Sequence, residues 1–268
     1  MGPLDESKQA DFDQYKAEKA ELKERLAVSR ETLKEQASLY RALRLPMLPT
    51  EAGKILREAD RLRFLGEQAM VVGTNALIAY ALEANGFIRD APDTTIDFDL
   101  ALTGVAMDED RPNLWKVLKE ADTTYSVNTE RPFQARNAKA YEVEILSAPS
   151  RVAGQALKDR PRPVPLPEQE WLLMGRPVDR VVGVRDGEAA RMVVPDPRWF
   201  ALQKLWMAEK PERDAQKKPK DRKQGRALLD AVWLTMRHYP LNDAFYEELP
   251  PELRPHYEAW DKEKPRRS

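Results

Sequence analysis

The sequence contains no cysteine and only two histidines among its 268 residues. The absence of cysteine excludes disulfides, thiolate metal sites and cysteine nucleophiles. His238 and His256 lack the spacing of a zinc-binding pair, so we expect no zinc site. No apolar run approaches the roughly 18 residues of a membrane-spanning helix, and the first residues do not resemble a secretory signal. We therefore predict a cytoplasmic protein without a membrane partner.

The chain also lacks an excess of charge of either sign. Lys and Arg number 44, Asp and Glu number 45, and the formal net charge is -1. This balance argues against a general nucleic-acid coat protein, which would be strongly basic. Hydrophobic residues make up 42% of the chain, which is enough to build a substantial core.

The N-terminal segment, residues 1–45, is predicted to be a helical arm. It has no glycine or proline from residue 5 to residue 44, and apolar or small residues recur at steps of three and four. Lys19 interrupts this series. We favour a long helix lying across the rest of the protein, and the alternative is a two-stranded coiled coil that makes a homodimer. The series comprises Phe12, Tyr15, Leu22, Leu26, Ser29, Leu33, Ala37 and Tyr40.

Residues 46–196 read as a mixed α/β core, and residues 197–268 read as a C-terminal helical region. Predicted strands cover 70–72, 94–102 and 141–146, and predicted helices cover 75–84 and 111–121. A proline-rich connector then leads to a hairpin that turns at Asp186-Gly187. Two helices follow, and the proline-broken tail is expected to wrap the surface and fray at its end.

Two motifs in the core carry groups suited to phosphate chemistry. Gly73-Thr74 lies between a strand and a helix, where glycine permits close approach and the helix N-terminus favours a phosphate. Asp97 and Asp99 lie two residues apart on a strand, so both carboxylates face one side. Paired carboxylates repel each other and favour a divalent cation such as Mg²⁺ or Mn²⁺. The alternative interpretations are a plain turn at Gly73-Thr74 and a solvated strand face at Asp97 and Asp99.

A third motif, the strand Tyr141–Leu146, places Glu142 and Glu144 on one face. If this strand pairs beside the Asp97–Asp99 strand, one glutamate would complete a cluster of three carboxylates. Such a cluster can hold two metal ions that clamp the attacking and leaving oxygens of a phosphoryl transfer. Either glutamate could be the third carboxylate. The alternative to such a cluster is that this strand also has a solvated face.

Taken together, these motifs resemble the nucleotidyltransferase fold of the DNA polymerase β type. The segments VVGTNAL, TTIDFDL and ALQKLWM are closer still to a bacterial subfamily of uncharacterised nucleotidyltransferase-like proteins. The resemblance covers roughly residues 40–235. It departs from the family pattern at Thr74, where Ser or Gly is commoner, and at the third acid, which is Glu instead of Asp.

The resemblance implies a nucleotidyltransferase that moves a nucleotide from an NTP to RNA, a protein or a small molecule. It implies that Asp97, Asp99 and Glu144 are catalytic and bind Mg²⁺ or Mn²⁺, with Glu142 as the rival third acid. It also implies that Gly73, Thr74 and Lys204 bind the nucleotide. A degenerate member that only binds nucleotide or RNA is the alternative. Further candidates for neutralising a triphosphate are Arg131, Arg136 and Lys139. The resemblance also implies that the pair Lys220-Asp221 faces the site, because related folds often place a Lys-Asp pair there.

The most basic segment covers residues 212–226 and could contact the backbone of an RNA acceptor. We favour the simpler interpretation, a flexible and solvated loop between two helices. Trp199, Trp206 and Trp233 lie among aliphatic residues, which favours core positions over a platform for base stacking.

Overall fold

The computed structural model describes residues 6–88, 97–104, 113–152 and 161–266. The helices within these ranges are α1 Glu6–Ala42, α2 Thr50–Arg61, α3 Ala76–Glu83, α4 Leu114–Ala121, α5 Pro149–Val152, α6 Pro197–Glu209, α7 Lys217–Thr235, α8 Asp243–Glu248 and α9 Arg254–Glu263. The strands are β1 Ala69–Val72, β2 Asp97–Leu102, β3 Ser126–Val127, β4 Gln134–Arg136, β5 Glu142–Ser147, β6 Val164–Pro165, β7 Val178–Gly183 and β8 Ala189–Val194. A 3-10 helix covers Pro167–Leu173.

The larger sheet is mixed, with the strand order β1-β2-β5-β4-β3, and β6 pairs with the end of β5. β2 and β5 are parallel, whereas β1 is antiparallel to β2 and β4 is antiparallel to β5. β7 and β8 form a separate hairpin, which packs against α3, α2 and β1. The predicted mixed α/β architecture with helical N-terminal and C-terminal regions is confirmed.

The strands next to the candidate site alternate as the sequence predicts. Phe98 and Leu100 of β2 are buried, and Asp97 and Asp99, which alternate with them, are partly exposed. Val143 and Ile145 of β5 are buried in the same way. Since the buried side chains supply the apolar contacts of the core, they fix which face of each strand carries its carboxylates. The predicted residues 94–96 lie outside the described residues.

The predicted hairpin is confirmed, because β7 and β8 flank a turn in which Gly187 has a φ of 90°. The two predicted C-terminal helices correspond to α6 and α7. Trp199 is buried, as predicted, and Trp206 and Trp233 are partly buried against the core. Among the described residues, no helix has the length and apolar character needed to cross a membrane.

Three expectations are wrong. α1 does not lie across the rest of the protein, because every side chain from Lys8 to Gln36 is exposed. The basic segment 212–226 is not mainly a loop, since α7 begins at Lys217. The tail does not merely wrap the surface, because α8 and α9 bury Phe245 and Trp260. Proline at the second position of α9 is compatible with a helix, since the first-turn N–H groups have no intrahelical partner.

Candidate active site

A pocket of about 230 Å³ lies where the central strands meet the C-terminal helices. One wall is made by β1, β2 and β5, and the facing wall is made by the 3-10 helix, α6 and α7. The lining combines carboxylates with basic side chains. Its charged members are Asp97, Asp99, Glu144, Glu168, Lys204, Arg213, Lys217, Lys220 and Asp221.

The acidic wall results from the parallel pairing of β2 with β5. In this register Asp97 lies opposite Glu142, and Asp99 lies opposite Glu144. Glu144 lines the pocket together with the two aspartates, whereas Glu142 is absent from its lining. Glu142 instead lies 3.8 Å from Arg136 on β4. The structure therefore brings Asp97, Asp99 and Glu144 into one pocket, and of the two glutamates it is Glu144 that lines the wall.

Gln134 on β4 connects the two glutamates. Its Nε2 donates to Glu142 Oε2 at 3.1 Å and to Glu144 Oε1 at 3.3 Å. Its own Oε1 accepts from Asn128 Nδ2 at 2.7 Å. Because Gln134 is buried, this chain of hydrogen bonds limits the orientations open to Glu144. No pattern in the sequence marks Gln134, since it is the antiparallel pairing of β4 with β5 that brings it beside Glu144.

Two carboxylates of the acidic wall, Asp99 and Glu144, have raised pKa values. Burial, followed by repulsion from Glu144 and Asp97, raises the pKa of Asp99 to about 7, although Lys204 and Lys217 act in the opposite direction. Burial and the charge of Asp97 also raise the pKa of Glu144. Burial and mutual repulsion thus both disfavour the charged forms of Asp99 and Glu144.

The chemistry of these donors fits Mg²⁺ or Mn²⁺, which prefer carboxylate oxygens. A divalent cation would also offset the repulsion of Asp99 by Asp97 and Glu144. However, within 6–88, 97–104, 113–152 and 161–266, no group of three or more His, Asp or Glu side chains is spaced to hold a metal ion. Mg²⁺ is often held by only one or two carboxylates together with substrate phosphates, and Asp97, Asp99 and Glu144 are the carboxylates of this wall that line the pocket.

Gly73 and Thr74 form the junction between the acidic wall and α3. Gly73 has a φ of 69°, and a Cβ at this position would collide with the carboxylate of Asp99. Glycine is therefore needed both for the backbone conformation and for the close approach of Asp99. Thr74 is buried, and its Oγ1 accepts from Gln224 Nε2 of α7 at 3.3 Å. Both residues line the pocket, as the predicted phosphate-binding turn would require.

The basic wall is organised by Asp221 on α7. Asp221 is buried, its Oδ1 accepts from Lys204 Nζ at 2.9 Å, and its Oδ2 accepts from Arg213 Nε at 2.7 Å. Lys204 thus lines the pocket as an ion-paired side chain. Lys217 and Lys220 lie on the same wall, and burial together with the charge of Lys204 lowers the pKa of Lys220. This wall places positive charge opposite the carboxylates.

The other basic candidates lie elsewhere. Arg136 is next to Glu142, and Lys139 Nζ is 2.9 Å from Glu51 Oε1, and neither lines the pocket. Arg131 is also absent from the lining, although its charge opposes the rise in the pKa of Glu144.

Two residues that line the pocket were not among the residues predicted for the site. The 3-10 helix contributes Glu168, whose Oε1 accepts from Lys210 Nζ at 3.1 Å, and Gln169. In the described part of the chain, Glu168 Oε2 and Gln169 Oε1 are buried without a hydrogen-bond partner. Two buried acceptors at a pocket wall are suited to a ligand that donates hydrogen bonds. No local pattern marked them, because the segment reads only as proline-rich.

The comparison with known proteins agrees with the resemblance seen in the motifs. No functionally curated protein matches the chain. A solved structure, an antigenic nucleotidyltransferase-like protein from Paracoccidioides brasiliensis, is 14% identical and aligns with a TM-score of 0.42 over 82% of this chain and 96% of that one. A family model described as nucleotidyltransferase matches residues 50–250, which is most of the chain and includes the whole pocket. The chain therefore belongs to this nucleotidyltransferase family.

Proposed function

We propose that the protein transfers a nucleotide from an NTP to a hydroxyl group of an acceptor, with the help of Mg²⁺ or Mn²⁺. The observation that carries this proposal is the pocket itself. Asp97, Asp99 and Glu144 line one wall next to Gly73-Thr74, and lysines line the other. Carboxylates facing basic side chains suit a metal-bound triphosphate, which needs cations around its phosphates and carboxylates around its metal.

The proposed reaction is an in-line substitution at the α-phosphorus of the NTP. The acceptor oxygen forms a bond to the α-phosphorus, the bond from that phosphorus to the bridging oxygen breaks, and pyrophosphate leaves. The hydroxyl proton passes to a carboxylate of the acidic wall, for which Glu144 is the candidate. A bound divalent ion would supply charge neutralisation at the attacking and leaving oxygens. Asp97, Asp99 and Glu144 are the residues that would hold it.

The remaining lining residues would position the nucleotide. Gly73 and Thr74 would contact the terminal phosphates through backbone N–H and hydroxyl groups. Lys204, Lys217 and Lys220 would balance the phosphate charge, and Asp221 keeps Lys204 in place through the ion pair. The buried acceptor oxygens of Glu168 and Gln169 are available to hydroxyl or amino groups of the nucleotide.

Calorimetric titration of each NTP, with and without Mg²⁺, tests the proposal. We expect Mg²⁺-dependent binding to the wild type and at least a tenfold loss in the Asp97→Asn/Asp99→Asn variant. Glu144→Gln should reduce pyrophosphate release from an NTP and acceptor mixture more than Glu142→Gln does, because only Glu144 lines the pocket. The absence of binding to the wild type would contradict the proposal.

The second candidate function is a catalytically degenerate module that binds a nucleotide or RNA. It is favoured by the spacing of the carboxylates, which among the described residues form no metal-holding group. NTP binding that does not depend on Mg²⁺ and survives Asp97→Asn/Asp99→Asn would favour this candidate over the enzyme.

A further inference from the structure

The helix α1 leaves a long apolar stripe without a partner. All side chains from Lys8 to Gln36 are exposed, including Phe12, Tyr15, Leu22 and Leu26, which are between 46% and 62% exposed. A helix with few tertiary contacts is only marginally stable in water, because packing supplies most of the stability of protein helices. We therefore expect another surface to cover these apolar side chains, and the described part of the chain provides none.

The spacing of the stripe is that of a coiled coil. Starting from Phe12, the positions follow alternating steps of three and four residues up to Leu33, which is a strict heptad pattern. These positions are Phe12, Tyr15, Lys19, Leu22, Leu26, Ser29 and Leu33. Five of them are apolar or aromatic. Lys19 falls at an a position, where a single polar residue is known to restrict register and oligomeric state at some cost in stability.

The charges beside the stripe favour one orientation of two identical helices. The e positions that flank it are all basic, namely Lys16, Lys23 and Arg30. In an antiparallel pair these positions would face one another and repel. In a parallel pair each g position faces the e position five residues later in the other helix, so Asp11 would face Lys16 of the partner subunit.

The same parallel register adds a second favourable contact and one unfavourable contact. Glu18 would face Lys23 of the partner subunit, whereas Arg25 would face Arg30 of the partner subunit. By the two-fold symmetry, each contact occurs twice, which gives four attractive pairs and two repulsive ones. Charge complementarity therefore selects a second copy of this chain, aligned in parallel, as the occupant of the stripe.

We propose that α1 pairs with α1 of a second copy as a parallel, in-register, two-stranded coiled coil that dimerises the protein. The paired segment from Phe12 to Leu33 is about 33 Å long at a rise of 1.5 Å per residue. This surface lies apart from the pocket, whose lining includes no residue of α1. The dimer therefore does not depend on the proposed function.

Light scattering coupled to size-exclusion chromatography of the full chain tests the dimer. The wild type should have twice the mass of one chain, and Leu26→Glu in the stripe should halve that mass. Ala20→Glu, on the outer face of the same helix, is the matched control and should leave the dimer intact. Circular dichroism verifies that both variants keep the folded body. A monomeric wild type, or a dimer unaffected by Leu26→Glu, would overturn the proposal.

The orientation is tested by disulfide trapping, for which the absence of native cysteine is convenient. In a parallel pair the two copies of residue 15 meet across the stripe, so Tyr15→Cys should cross-link at least tenfold faster than Ala17→Cys, which lies on the outer face. An antiparallel pair would separate the two copies of residue 15 by about 22 Å along the axis. Equal rates for the two variants, or trapping of neither, would exclude the parallel register.

Discussion

At the scale of single residues, Asp99 shows how the surroundings set the chemistry of a side chain. Asp99 lies opposite Glu144 of β5 and two residues after Asp97 on β2, and its pKa is raised to about 7 by burial and by these two neighbours. The sequence identifies Asp99 as a candidate because it follows Asp97 at a spacing of two. The shift itself requires the parallel pairing of β2 with β5, which no local pattern specifies.

The raised pKa of Asp99 predicts a dependence of stability on pH. In the unfolded chain an Asp has its ordinary pKa of 3.8, whereas in the folded protein the pKa of Asp99 is raised to about 7. The folded state therefore binds more protons between these values, so Asp99 lowers the stability as the pH rises through that window. In the absence of metal, Asp99→Asn should be more stable than the wild type at pH 8 by roughly 2 °C or more in Tm.

This gain in stability should shrink as the pH falls from 8 towards 4, because the folded wild type then takes up the proton on Asp99 and no longer holds a buried charge there. The difference in Tm between Asp99→Asn and the wild type is measured by thermal unfolding, followed by circular dichroism in the presence of a chelator. A gap between variant and wild type that stays constant from pH 4 to pH 8 would show that Asp99 titrates normally.

Gly73 is a residue of the pocket at which any larger side chain should be destabilising. Its φ of 69° and the close approach of Asp99 leave no room for a Cβ. Gly73→Ala should lower the free energy of unfolding by about 2 kcal/mol, because it combines backbone strain with displacement of a carboxylate. It should also weaken NTP binding in calorimetry.

The matched control is Gly86→Ala, where the added Cβ meets no atom closer than 4.0 Å. This exposed substitution should change stability by less than about 0.5 kcal/mol. Similar losses from both replacements would contradict the role assigned to the contact between Gly73 and Asp99.

At the scale of the elements, α6 and α7 are joined by a buried ionic network at the pocket. Asp221 pairs with Lys204 of α6 and with Arg213 of the intervening loop. Removing one partner of a buried ion pair leaves an uncompensated charge, so Asp221→Ala should destabilise the protein by about 3 kcal/mol. Urea denaturation measures the loss.

The exposed pair between Arg226 of α7 and Glu263 of α9 provides the control. Glu263→Ala should cost less than about 1 kcal/mol, because solvent screens a surface ion pair. Equal costs for Glu263→Ala and Asp221→Ala would mean that the network at the pocket adds no more than a surface contact.

The elements also show which predictions a sequence supports. The strand–turn–helix unit around Gly73 and the strands around Asp97 and Glu144 follow from local periodicity, and the structure confirms the elements. The basic segment 212–226 differs from its prediction as a loop, although it contains Pro219, a residue that usually breaks a helix. α7 begins at Lys217, so Pro219 occupies its first turn, where the missing N–H has no consequence for the helix.

At the scale of the whole molecule, the C-terminal tail belongs to the core. Phe245, Tyr257 and Trp260 are buried, and Trp260 Nε1 donates to Asp230 of α7 at 2.8 Å. Truncation after Pro240 should therefore abolish cooperative thermal unfolding, because it exposes the aromatic contacts of α6 and α7. Deletion of residues 1–36 should leave the Tm of the body within about 2 °C, since the side chains from Lys8 to Gln36 are exposed.

Calorimetry of the two truncated chains distinguishes these outcomes. A cooperative transition in the chain that ends at Pro240 would show that α8 and α9 are dispensable for folding. Loss of the transition after deletion of residues 1–36 would show that the arm supports the body, contrary to its exposure.

The sequence by itself determined the motifs, the alternation that turns Asp97, Asp99 and Glu144 away from the core, and the resemblance to the nucleotidyltransferase family. These depend on chemistry within a few residues. The tertiary structure decided what distant segments share: the pairing of β2 with β5, the placement of Glu168 and Asp221 at the pocket, and the exposure of α1. Those outcomes depend on contacts between residues far apart in the chain, which local patterns do not encode.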